Sequence, residues 1–234
     1  MRKNSKAGFT LLELLIVIAI LAVLSVALVL VLNPAETLKK SRDAQRISDL
    51  STIKTAIGLY LTSTATPYLG GISSNLACFA SANDAAPSGS VKIFYSVPST
   101  GTNSVAITAT NLDGAVTYAA AAQPTTAAAA SLTDGTGWIP VNFSGLTGGS
   151  PISNIPVDPL NTLGGGDSAT SLSNASYFYR YACSQSPLAF EIDAALESTA
   201  YTVTDDKRVS DGGDNPNFYE VGTNLKILGI ANNF

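Results

Sequence analysis

Gly8-Phe9-Thr10-Leu11-Leu12-Glu13-Leu14-Leu15-Ile16 opens an apolar run that continues to Leu32 and decides the fold class. Only Thr10, Glu13 and Ser25 interrupt it. As a helix rising 1.5 Å per residue the run is roughly 36 Å long, enough to cross a hydrocarbon core of about 30 Å. A secretory signal has a shorter apolar stretch ending at a small-x-small site, whereas this run ends at Asn33-Pro34-Ala35-Glu36. The reading is a membrane-spanning helix with one acid in it. A carboxylate in hydrocarbon is costly and demands a partner, and no lysine shares the Glu13 face within the span. A cut between Gly8 and Phe9 supplies one. It exposes an α-amino group with an ordinary pKa near about 8, about one turn from Glu13. In an assembly of such helices a neighbour's amine meets that carboxylate. The helix dipole also favours an acid in the first turns. An unpaired buried charge is strongly penalised, so Glu13 is expected to fix the axial register of packing.

The stretch Lys6 to Ile16 resembles the class III signal of type IV prepilins and type II secretion pseudopilins, in which a short basic leader ends in Gly before Phe and Glu is the fifth mature residue. The resemblance implies cleavage after Gly8 and N-methylation of Phe9, both by a prepilin peptidase/N-methyltransferase. It implies a leader at 1–8, a transmembrane and filament-core helix at 9–32, and polymerisation with copies of itself and related pilins on a pilus or secretion platform. The expected location is the cytoplasmic (inner) membrane, leader inside and head outside, then an extracellular or periplasmic filament. Lys39, Lys40, Arg42 and Arg46 lie close after the span, so the positive-inside count does not fix orientation. Topology rests on the resemblance.

Asn33-Pro34-Ala35-Glu36 reads as a helix restart or kink, with Asn as N-cap, Pro at the first helical position and Glu three residues after the cap. Type IV pilins often carry a proline at this depth, which here is Pro34. Beyond it Leu38, Ala44, Ile47, Leu50, Ile53, Ile57 and Tyr60-Leu61 recur at helical spacing, giving an amphipathic helix at 33–62. Its basic face is open to three readings: lipid headgroups, an acidic neighbour, or solvent.

Residues 63–234 are expected to form an exported β-rich head. Strand signals lie at Val91–Val97, Val105–Thr110 and Ala115–Ala120, the last two joined through Asp113-Gly114. Tyr177, Tyr179, Tyr181 and Cys183 alternate with Phe178, Arg180 and Ala182, and Phe190, Ile192, Ala194 and Leu196 alternate with Glu191, Asp193 and Ala195. That predicts an antiparallel pair with one apolar face. Ile155-Pro156-Val157-Asp158-Pro159 resembles the Pro-Asp-Pro approach to the sheet in major pseudopilins. Cys78 and Cys183 suit a disulfide in an exported chain, or two buried thiols. Asp205, Asp206, Asp211 and Asp214 beside Gly212-Gly213 are candidates for Ca2+, as major pseudopilins hold calcium in a C-terminal loop, or else a solvated acidic turn. Sequons fall at Asn142 and Asn174.

The chain has no histidine and a net charge of −4. Histidine-dependent triads, zinc sites and general bases are excluded, and no basic head face exists for nucleic acid. The fold class is α+β: a pilin-like lollipop with a long N-terminal helix packed on an antiparallel sheet. The function expected is a structural subunit with no cofactor required. The alternatives are a type II secretion pseudopilin and a monomeric membrane-tethered binding module. A carboxylate enzyme has no motif to support it.

Overall fold

Thr10 begins α1 (Leu11–Leu32) through a reciprocal cap: its hydroxyl accepts the Glu13 amide at 3.2 Å, and its own amide donates to Glu13 Oε2 at 2.9 Å. Two of the orphan donors of the first turn are satisfied this way. The computed structural model describes residues 8–80, 91–97, 109–112, 116–120, 126–162 and 176–228. Residues 1–7 of the expected leader, the start of the Val105–Thr110 segment, the Asp113-Gly114 turn and the Asn174 sequon lie outside them.

The α1 helix stops where Asn33 takes a left-handed conformation, φ 37°. Asparagine tolerates that region better than most residues. Pro34 then starts α2 (Pro34–Ser63), at the one helical position where a missing amide costs nothing. The Asn33 side chain accepts the Glu36 amide at 3.4 Å. The expected restart is therefore built from the residues that suggested it. Residues 1–39 and 40–234 form two compact units.

Within the second unit α2 buries Asp43, Arg46, Leu50, Ile53, Ala56, Ile57 and Tyr60. The apolar stripe thus begins only at Leu50. Ahead of it the inward positions are ionic, while Leu38 and Ala44 are exposed.

Among the described residues six strands form one sheet: β1 (Lys92–Tyr95), β2 (Ala109–Leu112), β3 (Val116–Ala120), β4 (Tyr179–Gln185), β5 (Leu188–Ala194) and β6 (Tyr219–Gly222), in the order β2-β3-β1-β4-β5-β6. The β1-β4-β5-β6 portion is antiparallel, β2 pairs antiparallel with β3, and β3 runs parallel to β1. Tyr179, Tyr181, Phe190 and Ile192 project into a core with Leu50, Ile53, Ile57, Trp138 and Phe143.

Alternation predicts that the opposite face meets water, because it carries Arg180, Glu191 and Asp193. It is buried instead, in a second core of Phe79, Ile93, Tyr95, Phe178, Phe218, Ile227 and Leu228. The chain flanking β6 supplies Phe218, Ile227 and Leu228, in a region where the sequence predicts no strand.

Cys78 and Cys183 are bonded, 105 residues apart in sequence and both fully buried. Closing so long a loop constrains the unfolded chain, by up to about 4.7 kcal/mol on the chain-entropy model. Replacing both cysteines by alanine is expected to lower unfolding stability by about 2–5 kcal/mol, read from the denaturant midpoint. An unchanged midpoint would contradict this.

Candidate functional site

Gly8, Phe9 and Glu13 sit at the head of α1, in an open setting. A Cβ built on Gly8 meets nothing within 4 Å, and the Phe9 side chain is 86% exposed. The Glu13 carboxylate folds back on its own chain: Oε2 accepts both the Thr10 amide and, at 2.8 Å, the Thr10 hydroxyl. Thr10-Leu11-Leu12-Glu13 is a Thr-x-x-Glu capping box, a local signal that the membrane-span reading of the same residues overshadows. Both of these bonds go to one oxygen of Glu13. From Leu11 to Leu28 the helix is apolar and long enough to cross a membrane, and none of that window is buried. A helix apolar on all sides needs lipid or other helices around it.

Arg46, one of the basic residues that follow the span, does not lie on an outer face. Its guanidinium is fully buried, with Nε 2.6 Å from Asp158 Oδ2, Nη2 3.1 Å from Asp158 Oδ1, and Nη1 2.7 Å from Asp43 and 2.6 Å from Glu197. Arg42 makes a forked pair with Glu197 at 2.8 and 2.6 Å. Asp43 also accepts the backbone amides of Glu197 and Ser198. The Arg46 guanidinium lies 4.8 Å from the centre of the Tyr177 ring. Asp158, the acid of the Pro-Asp-Pro stretch, is thus the fork-to-fork partner of Arg46, a geometry that only arginine provides. Burial works against the Arg46 charge, but its carboxylate partners outweigh it and raise its pKa.

Burial would also raise the Glu197 carboxyl, yet the hydrogen bonds from Arg42 and Arg46 prevail and hold it below the ordinary value. A depressed folded pKa contributes stability that is present above the unfolded value, about 4.3, and lost as pH falls through the folded one. The melting temperature of the full chain in detergent should therefore drop on acidification below about pH 4, and Glu197→Gln should remove part of that drop. Identical acid profiles for the two proteins would refute the assignment.

Among the described residues the four acids marked for calcium form no cluster of three converging carboxylates. Asp205 pairs with Lys207 and Asp206 with Arg208. Asp211 accepts the amides of Gly213 and Glu220. The carboxylates that do converge among the described residues are Glu191, Asp193 and Glu220, with one oxygen from each lying within 4.8 Å of the others, all buried. Asp193 and Glu220 are register partners across β5 and β6, and Arg180 of β4 is the register partner of Asp193. Arg180 hydrogen-bonds Asp193 and lies 4.4 Å from the Phe218 ring centre. Burial, then mutual repulsion, raises the Glu191 pKa well above the ordinary range. Burial likewise raises Asp193, against the pull of Arg180, and Glu220. Alternation marks Glu191 and Asp193 as outward-facing; the second core, to which the chain around β6 contributes, makes them interior.

With this geometry in place, residues 3–29 match the family model described as the prokaryotic N-terminal methylation motif. The chain carries the class III signal of type IV pilins and pseudopilins. No curated protein and no solved structure matches the chain. The motif and the apolar α1 together support insertion in a membrane as a pilin-type precursor, and the motif implies a structural protein.

Proposed function

We propose that this chain is the structural subunit of a type IV pilus-like filament. It is inserted as a prepilin, cut after Gly8, N-methylated at Phe9 and polymerised through α1. The observation carrying this reading is the pairing of the methylation motif at 3–29 with a helix none of whose apolar window is buried in its own chain. Such a surface requires lipid before assembly and neighbouring helices after it. Gly8 and Phe9 are both exposed, which leaves the bond between them open to a peptidase.

In the filament the new Phe9 amine of one subunit pairs with Glu13 of the next. Glu13 keeps an oxygen, Oε1, for that contact while Oε2 caps the helix. The partners are the prepilin peptidase/N-methyltransferase, the assembly platform, and further copies of the chain or related pilins. The same subunit serves a secretion pseudopilus if the filament stays periplasmic.

Mass spectrometry of native material tests the reading. Expected is a mature N-terminus at N-methylated Phe9, and retention of the leader in Gly8→Leu. A native chain beginning elsewhere, or normal trimming of Gly8→Leu, overturns it. Cross-linking of the cleaved chain that yields only monomers would instead favour a membrane-tethered module.

A further inference from the structure

The carboxylates of Glu191, Asp193 and Glu220 are 0–1% exposed, and each directs an oxygen that accepts no hydrogen bond among the described residues: Glu191 Oε1, Asp193 Oδ1 and Glu220 Oε1. These groups come from adjacent strands, so the sheet register, not a loop, sets their spacing. Their other oxygens are held in place. Glu191 Oε2 accepts the Ile227 and Leu228 amides at 2.7 and 2.9 Å, Glu220 Oε2 accepts the Asn215 amide at 3.0 Å, and Asp193 Oδ2 takes the bond from Arg180. Gly213 presses against the cradle: a Cβ there would lie 1.8 Å from Glu220 Oε2. Three anchored carboxylates beside a single arginine leave an excess of buried negative charge, and buried charge requires a counter-charge.

We infer that Glu191, Asp193 and Glu220 bind a hard divalent cation inside the exported domain. Ligand atoms within 4.8 Å of one another fit around one ion at the oxygen distances of calcium, about 2.3–2.6 Å, or of smaller cations. An all-oxygen donor set selects calcium, magnesium or manganese over thiophilic metals. The ion ties β5 to β6 and, through Glu191, to the Ile227–Leu228 segment. The site is distinct from the Asp205–Asp214 loop, where Asp205 and Asp206 are already matched by Lys207 and Arg208. The cluster's other means of shedding charge is protonation, since Glu191 and Glu220 lie close enough to share a proton.

The test is calorimetric titration of the chelator-treated full chain in detergent with Ca2+, Mg2+ and Mn2+ in turn, together with melting curves. Expected is one binding event per chain for at least one of them, with a rise in Tm of roughly 5–10 °C at a hundredfold excess over Kd. Glu220→Gln should abolish both signals, and Gly213→Ala, which keeps every charge, should weaken affinity at least about tenfold. Asp206→Asn should leave both intact. The inference is overturned if no cation binds or raises Tm, which would leave shared protons as the solution. It is equally overturned if Asp206→Asn removes binding while Glu220→Gln and Gly213→Ala retain it, which would place the ion in the loop.

Discussion

Arg46→Met is expected to destabilise the domain at 40–234 by about 3–5 kcal/mol. The reason is arithmetic of charge. Asp43, Asp158 and Glu197 converge on one fully buried guanidinium, and methionine fills its volume without replacing its charge. Asp43 and Glu197 retain other partners, Asp43 the amides of Glu197 and Ser198 and Glu197 the Arg42 side chain. Among the described residues Asp158 keeps only the backbone amides of Leu160 and Asn161, so it bears most of the penalty. Arg46→Lys should recover part of the loss, because an ammonium supplies charge but cannot fork across both Asp158 oxygens. Arg42→Met is the control. Its side chain is 29% exposed, and Glu197 would keep Arg46, so the cost should stay below about 1 kcal/mol. Denaturant unfolding of the three variants checks the order. Equal losses for Arg42→Met and Arg46→Met would mean that the ionic cluster does not discriminate between interior and edge.

The same residue shows how far the sequence could be read. The apolar positions of α2 from Leu50 onward are buried as their spacing foretells, because a hydrophobic stripe has one place to go. Arg46 lies on the continuation of that face, yet a charge there reads as solvated. Asp43 is a local i,i+3 partner, but the other two carboxylates come from residues 112 and 151 positions away, and no local pattern marks them. Asp158 stands out in the sequence for its prolines, not for its charge. The tyrosine-rich strands are legible because alternation is local, but alternation cannot tell a wet polar face from a covered one. Glu191 and Asp193 read as solvent-facing for that reason. A second core that includes Phe218, Ile227 and Leu228, contributed by the chain on either side of β6, turns them inward. At α1 the reverse holds. Every element of the Gly8-Phe9-Glu13 constellation is contiguous, so the motif is visible at once, and the Thr10–Glu13 cap needs only a count of three residues.

That cap bears on the second large effect. Glu13→Val is expected to be inserted and cleaved but to reduce filament yield to near background, and two physical causes compete to explain such a loss. Valine removes the charge that would meet a neighbour's Phe9 amine. It also breaks both Thr10 contacts of the cap, which satisfies a donor at the start of α1. The Thr10 hydroxyl still accepts the residue 13 amide, so half of the reciprocal cap survives. The loss falls at the low end of the about 0.5–2 kcal/mol that a full N-cap is worth, which still loosens the first turn where subunits would interlock. Glu13→Gln separates the two. Glutamine is the other residue that closes a capping box, so its carbonyl oxygen still accepts the Thr10 amide, while the charge is gone. An unpaired amine in a low-dielectric helix bundle is then left without compensation. On the pairing argument Glu13→Gln assembles as poorly as Glu13→Val, with leader removal unchanged in both by mass spectrometry. Filament yield from Glu13→Gln close to wild type would assign the defect to helix capping and remove electrostatic register-setting from the account of this assembly.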